Sequence, residues 1–131
     1  MNLLGNELNV FCDCDETLIL HTYEECHPPV DIMCPYENVI LRFGIHAPHV
    51  KLLKDRKQRG STIFVWSAGG HAWAKAVSEA LGLEDVVDHY LSKPFMAIDD
   101  LPVGEGIGRW IYFDPLMPYG SDALYVKVDK T

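Results

Sequence analysis

Residues 10–18 of the chain read VFCDCDETL, an apolar run that is followed at once by alternating acidic residues. Short apolar or β-branched runs are typical of strands buried in a parallel sheet, and this one predicts a strand over Leu8 to Cys12. Two further runs predict strands over Thr62 to Trp66 and over Phe95 to Ile98. The acidic residues therefore fall just beyond a strand end, which is where α/β proteins bind their ligands.

Helical patterns lie between these predicted strands. One has the apolar spacing of an amphipathic helix and is followed by Gly82, a residue that favours helix ends. Its apolar members are Trp73, Ala76, Val77, Ala80 and Leu81. A second predicted helix runs from about Pro48 to Arg59, before Gly60, and outer strands are predicted over Trp110 to Phe113 and Ala123 to Val128. Strands alternating with helices predict an α/β domain, Rossmann-like, with three α/β/α layers and a mainly parallel sheet.

Composition limits the classes of function. The chain has 131 residues, 48% of them hydrophobic, which predicts a single domain over residues 1–131. Its formal net charge of −8 leaves no basic field to attract nucleic-acid backbones or anionic membranes. The first basic residue is Arg42, and no apolar run is long enough to span a bilayer. We therefore expect a cytoplasmic protein that binds no membrane and does not bind nucleic acid non-specifically.

The cysteines lie close together in the sequence. They are Cys12, Cys14, Cys26 and Cys34. So few thiols in one quarter of the chain do not indicate a disulfide framework, and we expect them to be reduced. A zinc site formed with His21 and His27 is the alternative. The spacing matches no familiar zinc pattern, and two of the thiols adjoin an apolar strand, which favours packing.

Chemically active groups follow the predicted strands. They are Asp13 and Asp15 after the first strand, Ser67-Ala68-Gly69-Gly70 after the second, and Lys93, Asp99 and Asp100 around the third. Two carboxylates about 4 Å apart repel by about 4 kcal/mol at an effective dielectric constant near 20, so such a cluster requires a cation. Oxygen ligands favour Mg²⁺, which commonly bridges carboxylates to a substrate phosphate. Glycines at a helix N-terminus form an anion pocket, and together these groups indicate phosphoryl chemistry.

The same residues resemble the haloacid dehalogenase-like phosphatases and phosphotransferases. The first motif of that family, an apolar strand ending in Asp-x-Asp-x-Thr, matches residues 10–18, and the second, a strand ending in Ser or Thr, matches residues 64–67. Lys93 matches the third motif, a lysine, and the pair Asp99-Asp100 matches the fourth, an acidic pair after a strand. All four motifs occur in the family's order across residues 10–100.

The resemblance implies a Mg²⁺-dependent phosphomonoester hydrolase. Asp13 would attack phosphorus and form an aspartyl phosphate, while Asp15 would protonate the leaving oxygen and then activate water. Asp15 would then have to hold a proton above the ordinary aspartate pKa of about 4. The other implied substrate and charge-neutralising residues are Thr17, Ser67, Ala68, Gly69 and Lys93. The implied Mg²⁺ ligands are Asp13, the backbone carbonyl of Asp15, Asp99, and Asp100 as a ligand or the neighbour of one.

Two positions leave alternatives open. Only five residues separate Lys93 from Asp99, fewer than the crossover between parallel strands needs. Tyr90 to Lys93 and Phe95 to Ile98 therefore cannot both be parallel core strands, and we expect Lys93 on a loop that leads into the last strand. Asp114 also follows an apolar run and could replace Asp99 as a metal ligand.

The segment lengths leave no room for a cap domain. The resemblance instead predicts a hairpin-sized β flap after the first strand, at about residues 20–42. Such uncapped relatives tend to act on macromolecular phosphates or to form homo-oligomers, although a small phosphorylated molecule is also compatible. The competing interpretation is a receiver-like or catalytically silent binding module, but a receiver domain has its motifs in a different order. His46, His49 and His89 are expected at the surface or the edge of the core.

Overall fold

The computed structural model describes residues 8–22, 27–101, 111–112 and 126–127. The strands are β1 (Asn9–Asp13), β2 (Ile19–Leu20), β3 (Pro29–Met33), β4 (Ile40–Ile45), β5 (Thr62–Ser67), β6 (His89–Ser92), β7 (Ile111–Tyr112) and β8 (Val126–Lys127). The helices are α1 (Ala47–Gln58) and α2 (His71–Ala80). The described part of the chain is thus a small α/β protein.

A parallel sheet of three strands, in the order β1-β5-β6, carries the predicted active residues. In its register Asp13 pairs with Trp66, and Ser67 pairs with Ser92. Helix α1 precedes β5 and helix α2 precedes β6, so each crossover contains a helix, as parallel strands require. The carboxyl ends of all three strands consequently lie at one edge of the sheet.

The third parallel strand is not the predicted one. Phe95 to Ile98 forms no strand, and Phe95 and Ile98 are 99% and 94% exposed. β6 takes that place because buried Leu83 and Val87 anchor the chain after α2 and bring it back beside β5. The spacing between Tyr90 to Lys93 and Phe95 to Ile98 is so short that only one of these runs can pair with β5. The expectation that Lys93 precedes the last parallel strand was wrong, because Lys93 directly follows β6.

The core lies on one face of the parallel sheet. Leu53 of α1 and Val77 of α2 join Ile63 and Val65 of β5 in a single buried cluster, and these four side chains are at most 2% exposed. On the opposite face Phe11 remains 47% exposed and stacks on Phe64 at a centroid distance of 4.3 Å. The described residues therefore place helices on one face only, whereas the three-layer prediction required helices on both.

An antiparallel sheet in the order β2-β4-β3 occupies much of the segment predicted to be a flap. The turn between β3 and β4 is closed by the Cys34 N–H, which donates to the Val39 carbonyl at 2.8 Å. Ile32 and Phe43 from this sheet are buried in the same core as the parallel sheet. The antiparallel sheet is therefore packed against the rest of the molecule rather than being a separate unit.

Several smaller predictions can be compared with the structure. Both helices lie within one or two residues of their predicted bounds, and β7 pairs with β8 inside the predicted outer strands. The expected edge positions of His46 and His49 were wrong, since they are 0% and 5% exposed. Burial, together with His49 and His27, lowers the pKa of His46 to about 4. No helix within the described residues has the length and apolar character needed to cross a bilayer.

Candidate active site

Asp13 and Lys93 form an ion pair at the carboxyl edge of the parallel sheet. Asp13 ends β1, Lys93 follows β6, and its Nζ lies 3.3 Å from Asp13 Oδ1. Nζ also lies 5.8 Å from the centroid of the Trp66 ring, within the range of a cation–π contact. The two charged side chains are about one-third exposed, at 35% and 31%. A carboxylate oxygen and an ammonium group thus meet at an open corner of the site.

A tight turn after β1 positions Asp15. The Cys14 carbonyl accepts hydrogen bonds from the N–H groups of Thr17, Leu18 and Ile19, at 2.9 to 3.2 Å. Glu16 adopts a left-handed φ of 58°, which reverses the chain into β2. The Thr17 carbonyl lies 2.7 Å from Nδ1 of His49 on α1, a hydrogen bond that holds the turn against the helix. The predicted role of Thr17 in fixing this loop is therefore compatible with its backbone contacts.

The carboxylate of Asp15 is held by three side chains. The Trp73 indole N–H faces both of its oxygens at 3.2 and 3.3 Å, and the Ser67 hydroxyl donates to Oδ2 at 3.4 Å. His21 Nε2 lies 2.9 Å from Oδ1. One nearby residue and two distant ones therefore determine where this carboxylate points.

Ser67 connects the Asp13–Lys93 ion pair to Asp15. It ends β5, is fully buried, and its carbonyl accepts the backbone N–H of Lys93 at 2.9 Å. Its hydroxyl accepts the Gly69 N–H at 3.0 Å, so it forms a local turn rather than capping α2. Asp13, Lys93, Ser67 and Asp15 thus form one continuous set of contacts.

The loop before α2 differs in one respect from the predicted anion pocket. Its N–H groups at Gly69, Gly70 and His71 already donate to Ser67 Oγ, the Ser67 carbonyl and Ser92 Oγ. Ala68 and Gly69 are exposed at the tip of the turn. A phosphate bound here would have to displace one or more of these bonds. Three of the N–H groups expected to face an anion are therefore already engaged within the protein.

The predicted four-acid Mg²⁺ set is not assembled. Asp99 and Asp100 lie on the exposed segment after Lys93, and the Asp99 carboxylate accepts the Leu101 N–H at 3.2 Å. Across residues 8–22 and 27–101, no three His, Cys, Asp or Glu side chains are grouped as a metal ion would require. Because Phe95 to Ile98 does not form a strand, nothing brings the acidic pair back to the sheet edge. Asp114, the alternative ligand, lies outside the described residues.

Three of the four cysteines lie in the described part of the chain, next to the site. Cys12, Cys14 and Cys34 are free, and Cys26 lies outside the described residues. Burial and the nearby Asp13 carboxylate raise the pKa of Cys12 to about 12, and burial raises that of Cys14 further. A thiol must lose its proton to bind zinc, so these contacts support packing as the role of both.

His21 and Trp73 are the functional candidates that the sequence did not single out. The sequence gives His21 only as a residue of the flap segment and of the alternative zinc site, and it gives Trp73 as part of the apolar face of a helix. Trp73 is 8% exposed, as that apolar face predicts, but its indole N–H turns toward Asp15. A helical periodicity identifies the buried face of α2, yet it does not reveal where one polar atom of a buried ring will find its partner.

A cleft opens beside Asp15, between the antiparallel sheet and α2. Its volume is about 470 Å³, and its lining includes Asp15, His21, Tyr36, Phe43, Gly69 and Trp73. The described structure thus has a concave site of the size that small ligands occupy, adjacent to Asp15. Comparison of the chain with protein-family models, with curated proteins and with solved structures gave no match.

Proposed function

We propose that the protein is a phosphomonoester hydrolase of the haloacid dehalogenase-like type, uncapped, with the antiparallel sheet as its flap. One observation carries the proposal. The ends of three neighbouring parallel strands bring Asp13, Ser67 and Lys93 into one contact set, in the order that the motifs predict. Asp15 joins that set through Ser67. A carboxylate, a second carboxylate and an ammonium group are the parts needed for phosphoryl transfer by way of a covalent intermediate.

In the first step Asp13 attacks the phosphorus atom. A bond forms between an Asp13 oxygen and phosphorus while the bond from phosphorus to the substrate alcohol breaks. The departing oxygen takes a proton from Asp15, and Lys93 offsets negative charge on Asp13 and on the phosphoryl group. The hydrogen bonds from Trp73 and Ser67 orient Asp15 toward the open site.

In the second step the aspartyl phosphate is hydrolysed. Asp15, now a carboxylate, accepts a proton from a water molecule whose oxygen attacks phosphorus. The bond between phosphorus and Asp13 breaks, which releases inorganic phosphate and restores both side chains. The same residue therefore serves as acid and then as base, as microscopic reversibility allows.

Dependence on Mg²⁺ is part of the proposal, because the negative charges of the site and substrate outnumber the positive ones. Two carboxylates and a substrate phosphate dianion meet a single lysine in the contact set just described. Mg²⁺ needs only one or two carboxylates when phosphate and water supply the other oxygens, so Asp13 and the Asp15 backbone carbonyl are the groups available to it. The ion would supply positive charge beside the transferring phosphoryl group.

A catalytically silent binding module is the second candidate. It is favoured by the position of Asp99 and Asp100, which stay away from Asp13 in the described structure. Such a protein would retain the sheet edge and bind a phosphorylated partner without turnover.

The discriminating experiment measures turnover of an aryl phosphate with and without Mg²⁺. We expect hydrolysis that requires Mg²⁺ and is abolished by Asp13→Asn. Asp85→Asn, which changes an exposed acid away from the site, is the matched control and should leave the rate unchanged. Turnover without Mg²⁺, or full activity of Asp13→Asn, would contradict the mechanism. No turnover of any phosphomonoester by the native protein would favour the silent module.

A further inference from the structure

The cleft beside Asp15 has an aromatic lining. Phe43 and Trp73 meet edge to face at a centroid distance of 5.8 Å, and His21 meets Phe43 in the same way at 5.2 Å. Tyr36 is 60% exposed and reaches across the cleft toward the loop before α2. A β-carbon added at Gly70 would lie 2.5 Å from the Tyr36 hydroxyl oxygen, which shows how closely the ring approaches this loop.

The position of the cleft relates it to the proposed reaction. Asp15 lies on its wall, whereas Asp13 and Lys93 do not. Asp15, the proposed acid, therefore lies between the cleft and the Asp13–Lys93 ion pair, where the phosphoryl group would bind. In the proposed first step Asp15 protonates the departing oxygen, so the alcohol part of the substrate must lie on the Asp15 side. The cleft is the concave space available there.

The charges around the cleft limit which chemical groups the leaving alcohol of the substrate can carry. Arg42 lies at the rim, but its guanidinium makes two hydrogen bonds to Asp31, at 2.8 and 3.2 Å, which offset its charge. Glu37 adds a negative charge to the same rim. Among the described residues of this rim, a second phosphate group, as in a nucleoside diphosphate or a nucleic-acid strand, would meet only a cationic group that is already paired. The lining instead favours an uncharged ring.

We infer that this cleft binds the leaving group of the substrate, and that the substrate is a small phosphomonoester whose alcohol carries a planar aromatic ring. The inference rests on the proposed function and extends it to a substrate class. Tyr36 offers an exposed ring for stacking, and the mostly buried rings of Phe43 and Trp73 line the cleft with apolar edges. The volume suits a small molecule rather than a macromolecular end. An aryl-alkyl phosphate and a nucleoside monophosphate share this chemistry.

The test compares substrates whose leaving alcohols have similar reactivity. Benzyl phosphate, cyclohexylmethyl phosphate and ethyl phosphate all release primary alcohols, and uridine and adenosine 5′-monophosphate represent the nucleoside class. We expect kcat/KM for benzyl phosphate to exceed that for ethyl phosphate by about tenfold, with cyclohexylmethyl phosphate in between. A higher value for the nucleoside monophosphates than for benzyl phosphate would identify the nucleoside as the source of the ring.

Variants connect the preference to the cleft. Tyr36→Ala removes an exposed ring, so the fold should persist, and the preference for benzyl over ethyl phosphate should fall to about threefold or less. Tyr36→Phe should keep the preference. Ile40→Ala is the matched control, because Ile40 is 64% exposed in the same hairpin but does not line the cleft. Equal kcat/KM for benzyl and ethyl phosphate in the native protein, or a preference that stays near tenfold in Tyr36→Ala, would overturn the inference.

Failure of the inference can be distinguished from failure of the proposed function. Hydrolysis of all three alkyl phosphates at equal rates contradicts only the assignment of the cleft. If none is hydrolysed, the proposed function fails, and the cleft is tested by calorimetry with two phosphonates that cannot be hydrolysed. Tighter binding of benzylphosphonate than of ethylphosphonate, lost in Tyr36→Ala, would support a ring-binding cleft. Equal or absent binding of both would refute it.

Discussion

Replacing Lys93 with methionine tests the charge arrangement on which the proposed chemistry depends. Lys93 Nζ lies 3.3 Å from Asp13 Oδ1. Coulomb's law gives an attraction of about 5 kcal/mol at that distance for an effective dielectric constant near 20, and about 1.3 kcal/mol in bulk water. Both side chains are about one-third exposed, so we take a value between these limits, about 2 kcal/mol. In the proposed mechanism Lys93 also attracts the negative charge of the transferring phosphoryl group, and a transition state that loses an attraction of this size forms about thirty times more slowly.

The effect on folding should be much smaller than the effect on rate. Partly exposed ion pairs contribute about 1 kcal/mol or less to stability, because solvent screens them and the long side chains lose freedom. We therefore expect Lys93→Met to lower kcat for an aryl phosphate by about thirtyfold while the free energy of unfolding changes by less than about 1 kcal/mol. Lys93→Arg, which keeps the charge, should recover part of the rate.

The assay is steady-state hydrolysis of an aryl phosphate at saturating substrate, with urea unfolding measured on the same preparations. Lys75→Met is the matched control, since Lys75 is an exposed lysine of α2 whose Nζ lies 3.9 Å from Glu79. It should change neither quantity. A Lys93→Met protein that is as stable as the native protein and retains more than about a third of its kcat would refute the electrostatic role of Lys93.

Three further predictions concern the buried residues and the turn around the site. The pKa of His46 is about 4 in the folded protein, against an ordinary 6.5, so the unfolded chain binds more protons between these pH values. The free energy of unfolding should therefore fall by up to about 3 kcal/mol as the pH drops from about 6.5 to about 4. Urea unfolding at several pH values should show a shallower fall in His46→Leu and an unchanged fall in His71→Gln, an exposed histidine; a native protein equally stable at pH 7 and pH 4.5 would contradict this. Gly70→Ala should cost about 1–3 kcal/mol, because Gly70 has φ 101° and ψ 165°, a region that other residues rarely adopt, and Tyr36→Ala should recover only the part due to contact with that ring. Leu53→Ala should cost about 2–5 kcal/mol by leaving a cavity at a side chain that is 2% exposed, and a loss under about 1 kcal/mol would place Leu53 outside the tightly packed core.

Local patterns were sufficient for much of the fold. The apolar run in residues 10–18 and the run over Thr62 to Trp66 became neighbouring parallel strands, and the amphipathic pattern before Gly82 became α2. These predictions succeeded because strand and helix periodicities are properties of short segments. Phe95 to Ile98 is just as apolar, yet it forms no strand, because β6 occupies the position beside β5.

Some residues of the candidate site could likewise be predicted from local patterns, and others could not. That Asp13 and Ser67 would meet followed from their places just after apolar runs, since parallel strands end at one edge of a sheet. Lys93 joins them because β6, and not the predicted third strand, pairs with β5 and ends just before it. The partners of Asp15 did not follow from any local signal. His21 and Trp73 come from different elements, and their polar atoms meet Asp15 only after β2 and α2 have packed on the same core.

The sequence by itself determined that strands alternate with helices and that Asp13 and Ser67 end two of the parallel strands, because those features depend on the chemistry of each short segment. Tertiary packing alone decided that β6 would pair while Asp99 stayed exposed, that the indole of Trp73 would face Asp15, and that an aromatic cleft would open beside it. The physical reason is that strand pairing and the direction of a side-chain donor depend on partners tens of residues away, and those partners are in place only when the whole core has formed.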